Sequence, residues 1–141
     1  MNTRFHFLNK TTLSDRTRLK EFLKKMTKTE GRLIASVDFI FCSDEYLLSI
    51  NQTFLKHDDY TDIITFNLTP KGESSITSEI YISTERVKEN AKLYSPSYKR
   101  ELHRVIFHGV LHLCGYKDKN PAQQTIMRKK EEEYLNLYFK I

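Results

Sequence analysis

The chain has no tryptophan, two cysteines, three prolines and four glycines among 141 residues. It also lacks any stretch approaching the roughly 20 consecutive apolar residues of a membrane span. Residues 1–9 carry no long apolar run, so a secretory leader of the usual form is not expected. Cys42 and Cys114 stand far apart and make no CxxC pair, so no disulfide framework is expected. Both are expected to be reduced, buried thiols. Gly/Ser/Pro-rich linkers, low-complexity tracts and internal repeats are missing as well. The one loose stretch, residues 69–75, is expected to be a loop. These absences predict one domain over residues 1–141, in a reducing cytoplasm and not in a membrane.

What is present suits a globular fold. Hydrophobic residues make up 39% of the chain, and eight Tyr and nine Phe provide bulky core material. Apolar content of this order is enough to offset the entropy of ordering the chain, so disorder is not expected. The net charge of +5 agrees with a polyanionic partner such as RNA without requiring one.

Arg4–Leu8 suggests a short first strand, followed by a helix over Leu13–Thr27 that Thr12 or Ser14 would cap. Leu33–Phe41 has the β-branched and aromatic content of a strand. Ser43 then caps a helix with Leu47, Ile50 and Phe54 on its buried face. Strands over Asp62–Leu68 and Glu79–Ser83 precede a helix from Ser83 or Thr84 to about Leu93. Ser95-Pro96 signals the start of a helix running to Cys114 and ending at Gly115. Asn120-Pro121, with Gln123 completing a capping box, starts the last helix, to about Tyr138. The expected fold class is α+β: a small mixed sheet of three to four strands, partly parallel, packed with about five helices.

The chemistry concentrates in the segment from His108 to Asp118. His108 and His112 are four residues apart, about one helical turn, so both imidazoles leave the same face and can reach one ion. Gly115 permits a sharp reversal, and Asp118 follows three residues later as a third ligand. The pattern H-x-x-x-H-x-x-G-x-x-D has the frame of the metzincin signature H-E-x-x-H-x-x-G-x-x-H, with Gly109 in place of the Glu and Asp118 in place of the last His. The helix would therefore be zincin-like. It also carries apolar residues nearly all round (Tyr98, Leu102, Val105, Ile106, Leu113 on one side, Phe107 and Leu111 on the other), the mark of a central buried helix. Buried histidines need a partner, and an ion is one. Three protein ligands leave a fourth position for water, whose pKa the ion would lower toward about 7. The ligand set favours zinc, although nickel, copper or iron suit such ligands too. With glycine at position 109 the usual zincin base is missing, which disfavours familiar peptidase chemistry. No other residue is marked as the general base.

The run His108-Gly109-Val110-Leu111-His112-Leu113-Cys114-Gly115-Tyr116 resembles the signature H-G-x-L-H-L-x-G-Y-D-H of the YbeY family. Asn51–Phe66 is similar to that family's N-x-x-[YF]-x-x-x-D-x-x-T-[DN]-[VI]-[LI]-[ST]-F block, and Ser78–Ser83 to its G-D-[IL]-x-I strand. The resemblance covers roughly residues 45–135. It implies a metal-dependent, single-strand-specific endoribonuclease acting in maturation of ribosomal RNA (the 16S 3′ end) and in ribosome quality control. Ribosomal RNA and the ribosomal subunit would be its partners. Three departures stand out: Asp118 replaces the family's last histidine, Leu55 replaces an arginine, and Ser78-Glu79 replaces Gly-Asp.

With that arginine gone, Lys56 and His57 are the nearest replacements for contact with RNA phosphate. Lys99, Arg100 and Arg104 would give the metal helix a basic exposed side, either gripping phosphates or simply solvated. Asp58 and Asp62 are expected to be turn or cap residues in preference to supports for a ligand histidine. Glu79 is either a supporting or base carboxylate or an exposed strand charge. His103 should be a surface or packed histidine. Glu131-Glu132-Glu133 should form a solvated face of the last helix. Two other functions fit the same residues: a metallohydrolase with another substrate, such as a peptidase, and a non-enzymatic ribosome-associated factor with a structural ion.

Overall fold

Strand β2 (Ile34–Cys42) lies inside a four-stranded sheet of order β1-β2-β4-β3, with β1 (Asn2–Phe7), β3 (Ile63–Asn67) and β4 (Ile76–Ser83). The computed structural model describes residues 1–140. β1 and β4 both run parallel to β2, and β3 closes the other edge antiparallel to β4. Parallel neighbours require crossovers, which α1 (Arg16–Thr29) and α2 (Asp44–Leu55) supply. α3 (Thr84–Tyr94), α4 (Tyr98–Leu113) and α5 (Pro121–Tyr138) follow the last strand. Among the described residues there are thus four strands in a mixed sheet and five helices, as the sequence pattern predicts. No helix among them is long and apolar enough to cross a membrane.

Alternation along the strands sorts side chains onto two faces. Val37, Phe39, Phe41, Ile80 and Ile82 join the main core with Leu19 and Leu23 of α1, Val87 of α3, and Ile106 and Val110 of α4. On the other face Ile64 and Cys42 pack with Leu47 and Ile50 of α2 in a smaller cluster. Cys42 and Cys114 are both free and buried.

α4 is buried nearly all round, as its composition predicts, and Gly109 is why it sits so close to the sheet. A Cβ there would stand 2.9 Å from Ile63 Cδ1 and 3.1 Å from Ile80 Cδ1. Position 109 therefore packs against the sheet, where a side chain would meet Ile63 and Ile80.

Two helix starts differ from expectation. Ser97, not Ser95, caps α4 by accepting from the Arg100 N–H, while Ser95 ends α3 with its N–H on the Ala91 carbonyl. The Ser-Pro pair fills the turn between helices. α1 starts at Arg16 with neither Thr12 nor Ser14 as its cap; Asp15 precedes it in a left-handed conformation without a side-chain cap bond. Burial of Leu13 and a 3.0 Å bond from Arg16 Nε to the Leu13 carbonyl anchor that entry instead. Asn120 caps α5 as expected, and Gln123 Oε1 returns to the Lys119 N–H.

Candidate metal centre

His108 and His112 occupy the last two turns of α4 with their Nε2 atoms 3.0 Å apart. Each Nε2 lies 3.3 Å from Asp118 Oδ2. Asp118 arrives there because the chain reverses at Gly115, whose φ of +101° is the left-handed geometry that favours glycine. Hydrogen bonds from the Gly115 N–H to the His112 carbonyl and from the Tyr116 N–H to the Leu111 carbonyl close the turn. The result is a near-equilateral triangle of one carboxylate oxygen and two ring nitrogens.

The backs of both rings are committed. His108 Nδ1 is 2.5 Å from Glu131 Oε2, and His112 Nδ1 is 2.9 Å from the Tyr116 carbonyl oxygen. An acceptor behind each ring places the proton on Nδ1 and leaves the Nε2 lone pair facing the triangle. Three lone-pair atoms then converge on one point, which is unfavourable unless a cation sits among them. Tetrahedral ligands at about 2.0–2.1 Å from a zinc ion are about 3.3–3.4 Å from one another, close to the spacings found here. The group fits a divalent ion, and these three residues can hold one.

A charge network lies behind the triangle. Arg104, one turn before His108, donates to Glu101 at 2.6 Å and to Glu131 at 3.0 Å and lies 3.6 Å from Asp62. Glu101 and Glu131 are almost fully buried. Burial alone would lower the pKa of Arg104, but the carboxylates around it raise it well above its usual value. Burial would raise Glu131, yet its bonds to His108 and Arg104 hold it below the usual carboxylate range. Asp62 goes the other way: burial raises it, with Arg104 opposing. Three carboxylates thus gather around Arg104, with Arg128 also 3.6 Å from Glu131, and a dication nearby would add to the positive charge that they face.

The triangle opens into a cleft of about 890 Å³ whose walls include Leu55, His57, Tyr60, Asp62 and Arg104. Of the four basic residues expected at RNA, His57 and Arg104 line this cleft. Lys56 is exposed next to it, in a left-handed conformation at the end of α2. Arg100 turns away to Glu132 at 3.0 Å and to Asn136. Arg104 is not on an exposed basic side: its side chain is 15% accessible and engaged with carboxylates.

The other expectations divide: that for Glu131 changes, while Asp58 and His103 are as expected. Glu131 is 2% exposed, so the acidic run is not one solvated face; only Glu132 and Glu133 are exposed. Its burial was readable, since Met127, Glu131, Tyr134, Leu135 and Tyr138 fall on one helical stripe, and Glu131 is the charged member of it. Asp62 stands beside Arg104 as well as opening β3. Asp58 is structural, accepting from Gln52 at 2.5 Å. Glu79 is bonded to Tyr81 and lies apart from the cleft, which removes it as a supporting or base carboxylate. His103 is packed, its ring stacked on Tyr138 at 5.1 Å.

Comparison with known proteins points the same way. A profile described as endoribonuclease YbeY matches residues 5–138. Endoribonuclease YbeY of Cytophaga hutchinsonii is 49% identical over 126 residues, covering 89% of this chain and 87% of the relative. Endoribonuclease YbeY of Christiangramia forsetii is 46% identical over 119 residues, covering 84% and 82%. The solution structure of TM1509 from Thermotoga maritima superimposes with a TM-score of 0.64 at 28% identity, over 99% of this chain and 89% of that one.

Proposed function

The chain belongs to the endoribonuclease YbeY family, and from that premise we propose that it is a metal-dependent endoribonuclease whose ion is held by His108, His112 and Asp118. The observation that carries the assignment is the triangle of donor atoms, 3.0 to 3.3 Å apart, with both Nδ1 atoms committed behind it. Zinc suits two imidazoles and a carboxylate best. When bound, the ion supplies Lewis acidity, polarising the phosphoryl group and making water a better nucleophile.

The residues of the chain set the rest. Glu131 and the Tyr116 carbonyl fix the two rings, and Arg104 holds Glu131 in place. The cleft in front is broad and open to solvent. Unpaired RNA threads such a space more readily than a rigid duplex, which supports single-strand selectivity. Lys119 on its wall, with Lys56 beside it, provides positive charge for the phosphate backbone, and the His57 ring offers a further polar contact. A peptidase reading loses ground, because Gly109 stands where the zincin signature carries its glutamate base and has no side chain.

Family resemblance supports ribosomal RNA as the substrate, at the 16S 3′ end, and a place in ribosome quality control beside the ribosomal subunit. Buried, unpaired Cys42 and Cys114 suit a reducing cytoplasm. The test is cleavage of single-stranded and duplex RNA of one sequence by zinc-loaded protein and by its Asp118→Ala variant. Cleavage of the single strand alone, lost in the folded variant, is expected. Equal cleavage by both proteins would overturn the assignment.

A further inference from the structure

We infer that Glu131 of the last helix is a positioning residue of the metal centre, acting through His108, and that Arg104 serves the centre by bracing Glu131. The inference rests on the metal assignment above and deepens it. His108 Nδ1 and Glu131 Oε2 are 2.5 Å apart, and the carboxylate is almost completely withdrawn from water. In such a setting the bond is strong and directional. It holds the ring so that Nε2 meets His112 Nε2 and Asp118 Oδ2, and it makes the imidazole a better donor.

The second oxygen of the same carboxylate accepts from Arg104 Nη1 at 3.0 Å. Arg104 is tied in turn to Glu101 within α4, so Glu131 is gripped from two points on the helix that carries the ligands. α5 therefore completes the metal centre while contributing no ligand. The two histidines are also supported unequally. His108 has a charged carboxylate behind it; His112 has a neutral backbone carbonyl. Loss of a support of the first kind weakens metal binding by roughly 10- to 100-fold.

The experiment measures zinc affinity, by competition with a chromophoric chelator, for the parent, Glu131→Ala, Glu131→Gln and Glu101→Gln. Glu131→Ala should bind zinc roughly 10- to 100-fold more weakly. Glu131→Gln, which keeps an acceptor oxygen for His108, should recover part of that loss. Glu101→Gln removes a buried charge from Arg104 without touching His108, and should lose clearly less than Glu131→Ala. A purely structural Glu131 would lower the melting temperature and leave zinc affinity unmoved. If Glu131→Ala and Glu101→Gln lose equally, the effect is general electrostatics and the positioning role is wrong.

A measurement on the parent alone does not depend on any variant folding. In the zinc-loaded parent, nuclear magnetic resonance should show the His108 Nδ1 proton shifted downfield and slow to exchange; rapid exchange with water would overturn the inference. A parent that takes up no zinc removes the metal assignment and this inference together. A parent that takes it up, with Glu131→Ala equal in affinity, removes this inference alone.

Discussion

Gly109 and Ile80 define how near the helix of His108 and His112 comes to the sheet: a Cβ on Gly109 would lie 3.1 Å from Ile80 Cδ1 and 3.2 Å from its Cγ2. The fully buried Ile80 cannot move away freely. In Gly109→Ala, overpacking should cost about 1–3 kcal/mol, against a helix-propensity gain of up to about 1 kcal/mol. A net loss of about 1 kcal/mol in denaturant unfolding is expected, with weaker metal uptake because His108 and His112 ride on the same helix. Unchanged or increased stability would mean that the helix is free to shift.

Glu30 braces the other end of the centre. It accepts a hydrogen bond from Tyr134 and one from Tyr116 at 2.7 Å, and the Tyr116 carbonyl holds His112. Burial alone would raise its pKa, but the two tyrosine bonds and Lys130 bring it below its usual 4.5. A carboxylate lowered in the fold adds stability above its unfolded value, and that contribution is lost as pH falls through the folded value. Glu30→Gln should therefore cost about 1–3 kcal/mol at neutral pH and show a shallower loss of stability below pH 4.5. Urea titrations of metal-free protein at neutral and acid pH test both statements.

His103 gives the opposite sign to a histidine that gains an anionic partner. Burial lowers its pKa from the usual 6.5, with Lys99 and Arg18 pushing the same way and Asp15 opposing, although Nδ1 bonds the Lys99 carbonyl at 2.7 Å. Below pH 6.5 the unfolded chain takes up a proton that the fold resists, so stability falls as pH drops until the folded value is reached. The slope from this one group is at most about 1.4 kcal/mol per pH unit. His103→Phe, which suits the neighbouring rings of Phe107, Tyr138 and Phe139, should remove that slope in metal-free protein. An unaltered slope would place its origin elsewhere.

Leu55 lines the cleft at 40% exposure, where the family pattern has an arginine. Leu55→Arg should strengthen binding of single-stranded RNA at low salt. The plot of log affinity against log salt should steepen by roughly 0.7, the value for one added contact to single-stranded phosphate. An unchanged slope would show that position 55 does not face the backbone of the bound strand.

Much of this was legible in the sequence because it rests on local rules. Spacing along α4 put His108 and His112 on one face, and Gly115 announced the reversal that returns Asp118. Three of the helix caps follow from a single Ser or Asn. What the sequence obscured depends on contacts between distant segments. Arg104 and Glu131 are both ordinary surface residue types, and only the packing of α5 on α4 buries them against each other. The apolar stripe through Met127, Tyr134, Leu135 and Tyr138 held the clue to Glu131, but the neighbouring Glu132 and Glu133 masked it. Glu79 stayed open between two readings for a similar reason: strand alternation fixes two faces, and only the tertiary arrangement says which one meets the cleft.

The central claim is the ion itself, and metal content by mass spectrometry tests it most directly. Protein purified without a histidine tag should carry about one zinc or comparable divalent ion per chain, and a His108→Ala/His112→Ala double variant none. A parent that is metal-free as isolated, and still so after incubation with zinc, would contradict the account; the convergence of His108, His112 and Asp118 would then be packing alone.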